Sequence, residues 1–403
     1  MATYGTMAVD HELRIDYDKL RRDRLEKVRA QMKKEGLGSL LCFHPDNVRY
    51  VTSTKLGEWT REKFARYCLV VEGKEDVVLF EVGSAMETKK KLCPWIKDIR
   101  PAKSNSCSAK SSKSAVIGEI YEILKEYGVQ DKPMGVDWLT VPIAKEILKY
   151  GIPFEDGFNT MQECNLIKTD EEIAILELSA AMVDGAYYDV VEAIKPGIRE
   201  NEVAGVMRKR LWELGAENVL NVNVISGDRA YPHPHDCTDR IIRPGDFVYL
   251  DIVNDFNGYK TCYYRTFSCG KPTDAQMEQY RIAYKWLYDA IKMVKPGVTT
   301  TEIASVWPKF DELPYPVKNK YEAVGFNLGH GVGIFHQGRP WMTRETPEDE
   351  AIVIQKNMHF ALETYCGAEG IGGARIEEQV VVTDNGCRVI TKFPCEEPFN
   401  CWK

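Results

Sequence analysis

The chain has 403 residues, of which 44% are hydrophobic and 28% are charged, and its formal net charge is -7. This length exceeds that of an ordinary single domain, so we expect two domains, each large enough for its own core. The negative charge gives no general attraction to nucleic acid or to an anionic membrane, and no local basic cluster replaces it. Neither partner is therefore expected.

The N-terminal residues 1–18 lack the apolar segment that a signal peptide needs, and no later run reaches the roughly 18 apolar residues of a membrane span. The 12 cysteines are scattered without a CxxC pair, which favours free, buried thiols in a reducing compartment. We therefore expect a cytoplasmic protein.

The first part of the chain alternates helical and strand-like patterns. The predicted elements are helices at 20–35, 114–127 and 141–150 and strands at 39–43, 48–52, 66–71, 76–80 and 134–137. Such alternation is typical of an α/β domain.

The pattern changes after residue 165. Thr169 or Asp170 can cap a helix whose acidic first turn suits the helix dipole, and the apolar periodicity continues to about Ala193. We therefore predict two domains, 1–165 and 166–403.

The second domain contains an internal repeat. The segment 194–204 returns one hundred residues later as 294–304, with Lys-Pro-Gly followed by Glu-x-Ala in each copy. Each copy follows a long helix, turns at Pro-Gly and begins another helix. The duplication predicts a pseudo-twofold domain around a sheet, with a ligand cleft between its halves.

One glycine-rich segment, 329–336, holds two of the seven histidines, His330 and His336. Glycines on both sides of His330 allow the backbone to come close to whatever the imidazole binds. The alternative is a tight turn around a buried histidine.

Three carboxylates lie in apolar, strand-like contexts at Asp251, Glu363 and Glu377. An unpaired carboxylate is costly there, so each needs a cation or a strong hydrogen-bond partner. A divalent metal held by the carboxylates and one imidazole is one solution. Salt bridges to Arg265 or Arg375 are the other.

The motifs of this region resemble the pita-bread family, which includes aminopeptidase P, prolidase, methionine aminopeptidase and creatinase. Gly-Asp-x-Val-x-x-Asp, Gly-Tyr-x-x-x-x-x-Arg-Thr, Gly-His-Gly-x-Gly and Arg-Ile-Glu-x-x-Val occur in this order. The resemblance implies an α/β (α+β) chain: a pita-bread catalytic domain with a pseudo-twofold repeat, behind a smaller creatinase/prolidase-type N-terminal domain. It also implies a homodimer.

In the peptidases of this family, two Asp, one His and two Glu bind two metal ions. Matched motif by motif, these positions fall on Asp251, Cys262, His330, Glu363 and Glu377. Cys262 replaces the Asp that bridges both ions. Three states stay open: one divalent ion (Fe, Zn or Mn) held mainly by His330, Glu363 and Glu377; a Cys262-containing pair of ions; or no metal, as in creatinase.

Two further departures concern histidines. Peptidases place a second histidine seven residues after the first, where this chain has Gln337, and His336 comes one residue early. The histidine that peptidases place before the Asp-Arg pair would fall on Pro234, so His233 or His235 serves only after a shift of one residue. All these changes surround the substrate, which predicts a changed substrate.

Within the family, the segments 40–50, 330–333 and 377–383 most resemble the dimethylsulfoniopropionate lyase branch. That branch carries an acidic general base six residues after the metal-binding histidine, and His336 occupies this position. The main hypothesis is therefore an enzyme that cleaves a C–S or C–N bond of a small zwitterionic carboxylate by β-elimination, with His336 as base. Val253 replaces an additional Asp of that branch.

Creatinase provides the first alternative, a metal-free C–N hydrolase, because 258–266 and 390–394 resemble its strands. There His233 or His235 would be the acid/base, while Glu363 and Glu377 would hold a cationic group. A metal-dependent Xaa-Pro dipeptidase is a second alternative, which the changes at residues 262 and 337 disfavour. An inactive binding or scaffold homologue is the third.

Substrate contacts are predicted at Tyr50, Trp59, Arg61 and Tyr264. In the family, loops of the N-terminal domain reach into a partner's active site, so an aromatic ring could close over a sulfonium or quaternary cation. The predicted catalytic residues are His336, His233, His235, Glu363 and Glu377.

Overall fold

The computed structural model describes residues 15–55, 57, 66–103, 110–309, 312–313 and 327–402. The chain forms two compact units, Asp16–Asn165 and a second unit built on Leu166–Lys403. We call them the N-terminal and the C-terminal unit. Within the described ranges, no helix is both long enough and apolar enough to cross a membrane.

The N-terminal unit is a layered α/β structure. Its strands are β1 (Ser39–Cys42), β2 (Tyr67–Val71), β3 (Val78–Glu81), β4 (Asp98–Pro101), β5 (Met134–Val136) and β6 (Phe154–Asp156). Its helices are α1 (Tyr17–Glu35), α2 (Pro45–Thr52), α3 (Met86–Leu92), α4 (Lys110–Glu126), α5 (Val141–Lys149) and α6 (Gly157–Leu166). The strands form one mixed sheet in the order β4-β3-β2-β1-β5-β6, and its apolar face packs against α4 and α5.

One predicted strand in this unit is wrong, because residues 48–52 lie in helix α2. The Nδ1 of His44 accepts a hydrogen bond from the backbone N–H of Asp46 and so caps the helix. Pro45 occupies the first turn, where its missing N–H costs nothing. These local capping signals outweigh the β-propensity of the valines and the tyrosine that follow.

The C-terminal unit contains two sheets and the repeated helices. Its helices are α7 (Asp170–Ala193), α8 (Glu200–Glu213), α9 (Asp274–Met293) and α10 (Thr300–Ala304). Its strands are β7 (Asn218–Ser226), β8 (Phe247–Phe256), β9 (Tyr259–Ser268), β10 (Asn327–Gly331), β11 (Gly338–Thr343), β12 (His359–Ala368), β13 (Gly372–Val382), β14 (Cys387–Val389) and β15 (Phe399–Asn400). Among the described residues, the sheet orders are β15-β9-β8-β7 and β11-β10-β12-β13-β14.

The predicted repeat determines how this unit is built. Helices α7 and α9 end one hundred residues apart, with identical backbone angles (φ -69°, ψ 112°) at Ile194 and Val294. The first helix pair packs on the sheet that contains β7–β9, and the second pair packs on the sheet that contains β10–β13. The predicted mixed α/β class is confirmed.

The Arg-Thr motif at the end of β9 connects the two sheets. The guanidinium of Arg265, which is buried, donates to the backbone carbonyl of Glu377 at 2.6 Å and forms an ion pair with Glu378 at 2.9 Å. The hydroxyl of Thr266 donates to the carbonyl of Arg375 at 2.7 Å and accepts from its N–H at 2.9 Å. These bonds fix β13 against β9, and they place the candidate residues of both strands side by side.

Candidate metal-binding and catalytic site

A cavity of about 230 Å³ lies in the C-terminal unit between the strands of the two sheets. Polar side chains dominate its lining, and most of the predicted site residues are among them. The lining residues are Asn221, His233, His235, Asp251, Cys262, Tyr264, Asn327, His330, His336, Gln337, Glu363 and Arg375.

Asp251 and Cys262 come from neighbouring antiparallel strands. Cys262 on β9 lies opposite Val253 on β8, so it is the diagonal neighbour of Asp251 on the same face of the sheet. Its Sγ lies 3.6 Å from Oδ1 of Asp251 and 3.9 Å from Oε2 of Glu377. Both side chains are buried, so the sulfur faces two carboxylates with little water around them.

His330 lies on β10, where Ala361 of β12 is its partner. Its imidazole is buried, and Nε2 lies 3.6 Å from Oε1 of Glu377. A Cβ at Gly329 would come within 2.7 Å of the carbonyl oxygen of Ala361, and a Cβ at Gly331 would overlap the carbonyl of Arg339. The glycines around His330 are therefore required by close packing against neighbouring strands. That they let the backbone approach a group bound by the imidazole stays a prediction.

Glu363 and Glu377 lie directly opposite each other on β12 and β13. Like charges at such a pair of positions destabilise a sheet unless a cation neutralises them. Arg375 supplies one cation: it forms an ion pair with Glu363, and its guanidinium lies 4.0 Å from the centre of the Tyr264 ring. The salt bridge that the sequence offers as an alternative to metal thus exists at Glu363.

The acidic groups have perturbed pKa values. Burial raises the pKa of Asp251 and of Glu377, and the charge of Glu363 raises both further. Burial, together with the Glu377 carboxylate, raises the pKa of the Cys262 thiol well above its usual range. For His330, burial lowers the pKa, but the neighbouring Glu377 carboxylate outweighs this effect, and the pKa is raised.

His233 and His235 enter the cavity as a contacting pair. Their Nε2 atoms lie 3.1 Å apart, and Nδ1 of His233 lies 2.7 Å from the hydroxyl of Tyr249. Burial, with the nearby Arg375 cation, lowers the pKa of both imidazoles. Both are consequently neutral at pH 7. The sequence left open which of the two faces the site, and both line the cavity.

His336 lies beside His330, with the ring centres 5.7 Å apart and the planes nearly perpendicular. Both it and Gln337 line the cavity, in the segment between β10 and β11. Its placement suits a group that contacts a bound substrate, and its role as base stays a prediction.

The four predicted substrate contacts have three outcomes. Tyr264 lines the cavity. Tyr50 is fully buried in the N-terminal unit, where its hydroxyl donates to the carbonyl of Cys164 at 3.1 Å, so its ring belongs to the core of that unit. Trp59 and Arg61 lie outside the described residues.

The structure adds residues that the sequence did not assign to the site. Arg375 lies two positions before Glu377 on the same face of β13, a spacing that alternation in a strand could have revealed. Asn223 is opposite Asp251 and donates to its Oδ2 at 3.4 Å, and Asn221 lines the cavity. For Asn221 and Asn223, the signal in the sequence is an asparagine within an otherwise apolar strand.

The donor set fits a divalent cation. Among the described residues, Asp251, Cys262 and Glu377 offer ligand atoms within 4.8 Å of one another, and so do Cys262, His330 and His336. Oε1 of Glu377 is buried and accepts no hydrogen bond from any described residue, although Nε2 of His330 lies 3.6 Å away. Buried carboxylate oxygens in this state are expensive unless a cation binds them. A cation among these donors would remove that cost.

Comparison with known proteins adds two matches to family models. Residues 174–384 match metallopeptidase family M24. Residues 24–155 match the creatinase/prolidase N-terminal domain. The first match contains every cavity-lining residue.

Among similar proteins, an Xaa-Pro dipeptidase of Pyrococcus furiosus is 27% identical over 377 residues, which cover 92% of this chain and 98% of that protein. The solved structure of an Xaa-Pro dipeptidase from Bacillus anthracis superposes with a TM-score of 0.77 at 25% identity, covering 94% of this chain and 99% of that one. An X-Pro aminopeptidase of Thermotoga maritima, with a TM-score of 0.76 at 22% identity over 93% of this chain and 98% of that one, shares the fold.

Proposed function

Because this chain belongs to metallopeptidase family M24, we propose that it is a metal-dependent hydrolase of small dipeptides, with Xaa-Pro dipeptides as the first substrates to test. Its dipeptidase relatives favour this alternative over the sulfonium lyase that the sequence motifs most resemble. The changes at residues 262 and 337 then belong to a modified metal and substrate site within a peptidase, and not to a lyase.

The observation that carries the proposal is the size and polarity of the cavity. Its volume of about 230 Å³ is below the ~300–1,000 Å³ of ordinary ligand pockets, which favours a substrate as small as a dipeptide. Residues of metal-ligand type line it, and so does Arg375. A dipeptide has the complementary groups: an amide to cleave and a terminal carboxylate.

A bound divalent ion supplies an activated water at neutral pH. The side chains of the protein would bind the substrate and transfer protons. Arg375 is buried and lines the cavity, so its guanidinium can bind the substrate carboxylate. The neutral pair His233 and His235 can donate to the substrate carbonyl and carry a proton to the leaving amine.

The proposal is tested by assaying the purified full chain with Gly-Pro, Ala-Pro and Gly-Ala in the presence of zinc, cobalt or manganese. We expect proline release, and an accompanying loss of at least about 100-fold in kcat/KM for His330→Ala, because removal of a ligand exceeds the 10–100-fold cost of outer-shell changes. Lys285→Ala, on the exposed face of α9, is the control and keeps full activity. Absence of dipeptide cleavage with every metal would overturn the proposal.

A second candidate, β-elimination from dimethylsulfoniopropionate, is favoured by the position of His336 in the cavity beside His330. The same assay separates the two functions when it includes this compound and creatine. A general base contributes about 10²–10⁴-fold, so His336→Ala should remove most lyase activity but cost a dipeptidase much less. Full lyase activity in this variant would rule out His336 as the base.

A further inference from the structure

The sulfur of Cys262 belongs to both groups of potential ligands. One group joins it to the carboxylates of Asp251 and Glu377, and the other joins it to the imidazoles of His330 and His336. It is 3% exposed and lines the cavity. Any cation bound in this part of the cavity therefore has the sulfur within reach.

The spacing around the sulfur agrees with a shared metal ion. For tetrahedral zinc with Zn–S of about 2.3 Å and Zn–O of about 2.0 Å, the sulfur and the oxygen are about 3.5 Å apart. The corresponding distances from Cys262 Sγ are 3.6 Å to Asp251 and 3.9 Å to Glu377. Nε2 of His330 lies 3.6 Å from Oε1, the other oxygen of the Glu377 carboxylate, and so adjoins this group as a fourth potential donor.

Glu363, the remaining carboxylate of the cavity, is already paired with a cationic side chain. Arg375 forms an ion pair with Glu363 and is held over the ring of Tyr264 at 4.0 Å. A second metal ion would have to compete with this buried guanidinium for Glu363. The sulfur, the two remaining carboxylates and the adjoining imidazole of His330 are the donor types that one four-coordinate ion takes.

We propose that Cys262 is a thiolate ligand of a single thiophilic divalent ion, Zn²⁺, Fe²⁺ or Co²⁺, which it holds together with Asp251, Glu377 and His330. Binding converts the thiol to a thiolate and releases its proton to solvent. Sulfur ligation selects zinc, iron and cobalt over manganese, the metal that an all-oxygen and imidazole site accepts. The inference rests on the metal dependence proposed above, but its test is a binding measurement.

The test titrates the metal-free full chain with Co²⁺ and records the near-ultraviolet absorption. We expect one equivalent to bind and to produce an intense thiolate-to-cobalt charge-transfer band. In Cys262→Ser the band disappears, and the affinity for Co²⁺ falls at least about 10–100-fold, the size of the effect for outer-shell partners. Cys387→Ser, at a half-buried thiol on β14 outside the cavity, is the matched control and keeps the band.

A second variant is the control for the case in which Cys262→Ser does not fold. Cys262→Asp restores an oxygen ligand, so it should lose the band but keep metal binding, with a preference moved toward manganese. One equivalent of cobalt without a charge-transfer band in the wild type would overturn the role of Cys262. Two equivalents would overturn the single ion. A band without dipeptide cleavage would leave this inference standing while the proposed hydrolase function fails.

Discussion

At the scale of single residues, the candidate site depends on how its buried charges are paired. Glu363 pairs with the permanent cation of Arg375, whereas Oε1 of Glu377 accepts no hydrogen bond from the described residues and has only the imidazole of His330 at 3.6 Å. Two carboxylates on facing strands thus have different electrostatic roles. Glu363 is neutralised by an arginine, and Glu377 keeps an oxygen that a ligand can bind.

The pH dependence of stability tests how burial changes the pKa of another histidine, His359. It is fully buried, and Nδ1 lies 2.8 Å from the carbonyl oxygen of Val332, two residues after His330. Burial lowers its pKa from 6.5 to about 3. Between these values the unfolded chain binds one more proton, so the free energy of unfolding falls as the pH falls, by up to about 1.4 kcal/mol per pH unit.

We therefore expect His359→Asn, which can still donate to the Val332 carbonyl, to have a flatter pH dependence of stability. Urea unfolding of wild type and variant at several values between about pH 6.5 and about pH 4 measures the difference. Equal slopes for the two proteins would contradict the expectation. Equal slopes would mean that His359 is already protonated in the folded state at these pH values.

At the scale of elements, the position of β13 matters most, since it carries Arg375 and Glu377. The bonds of the Arg265-Thr266 motif hold it against β9, and so does the side chain of Gln379 on β13, which donates to the carbonyl of Cys262 on β9 at 2.7 Å. Because side chains alternate along a strand, a slip of one residue would turn Glu377 away from Cys262 and His330. The Arg265-Thr266 motif therefore keeps the site residues of β13 in register with β9.

The glycines after His330 give a matched pair of variants, Gly331 at the end of β10 and Gly333 in the loop that follows. An added Cβ at Gly331 would overlap the backbone of Arg339, whereas at Gly333 it would meet only the flexible end of Lys168 at 3.1 Å. We expect Gly331→Ala to cost about 1–3 kcal/mol and Gly333→Ala to change stability by less than about 1 kcal/mol. Denaturant unfolding measures both. Equal effects would mean that the glycines serve chain flexibility and not close packing.

At the scale of the whole molecule, the family and the fold agree. The pita-bread catalytic domain and the creatinase/prolidase-type N-terminal domain expected from the motifs are confirmed by the two family matches and by the superposed dipeptidase. The homodimer stays a prediction, which light scattering on the purified protein checks directly. The predicted contacts of Trp59 and Arg61 with a partner's site also stay predictions.

Metal binding should stabilise the C-terminal unit. A ligand that binds only the folded state adds about 2.7 kcal/mol at a free concentration of 100 times Kd. We expect zinc at this level to raise the unfolding temperature of the chelator-treated protein, and magnesium at the same concentration to have little effect, because sulfur and imidazole ligands favour zinc. Thermal unfolding with and without zinc measures the shift. Coincident curves would contradict a metal site in the folded protein.

The sequence by itself determined the repeat, the long helices and the strands that carry Asp251, Cys262, His330, Glu363 and Glu377. It could do so because periodicity, capping residues and motif spacing are local properties of the chain. It failed at 48–52, where a proline and a capping histidine outweigh β-propensity. The single motifs favoured a lyase, whereas similarity along the whole chain favours a dipeptidase.

Only the tertiary structure decided which charges meet. Arg375 pairs with Glu363, both His233 and His235 reach the cavity, and Tyr50 packs in the N-terminal core. These facts depend on the register between β9 and β13 and on the approach of the two sheets. Both arise from contacts between residues more than one hundred positions apart, which no local pattern encodes.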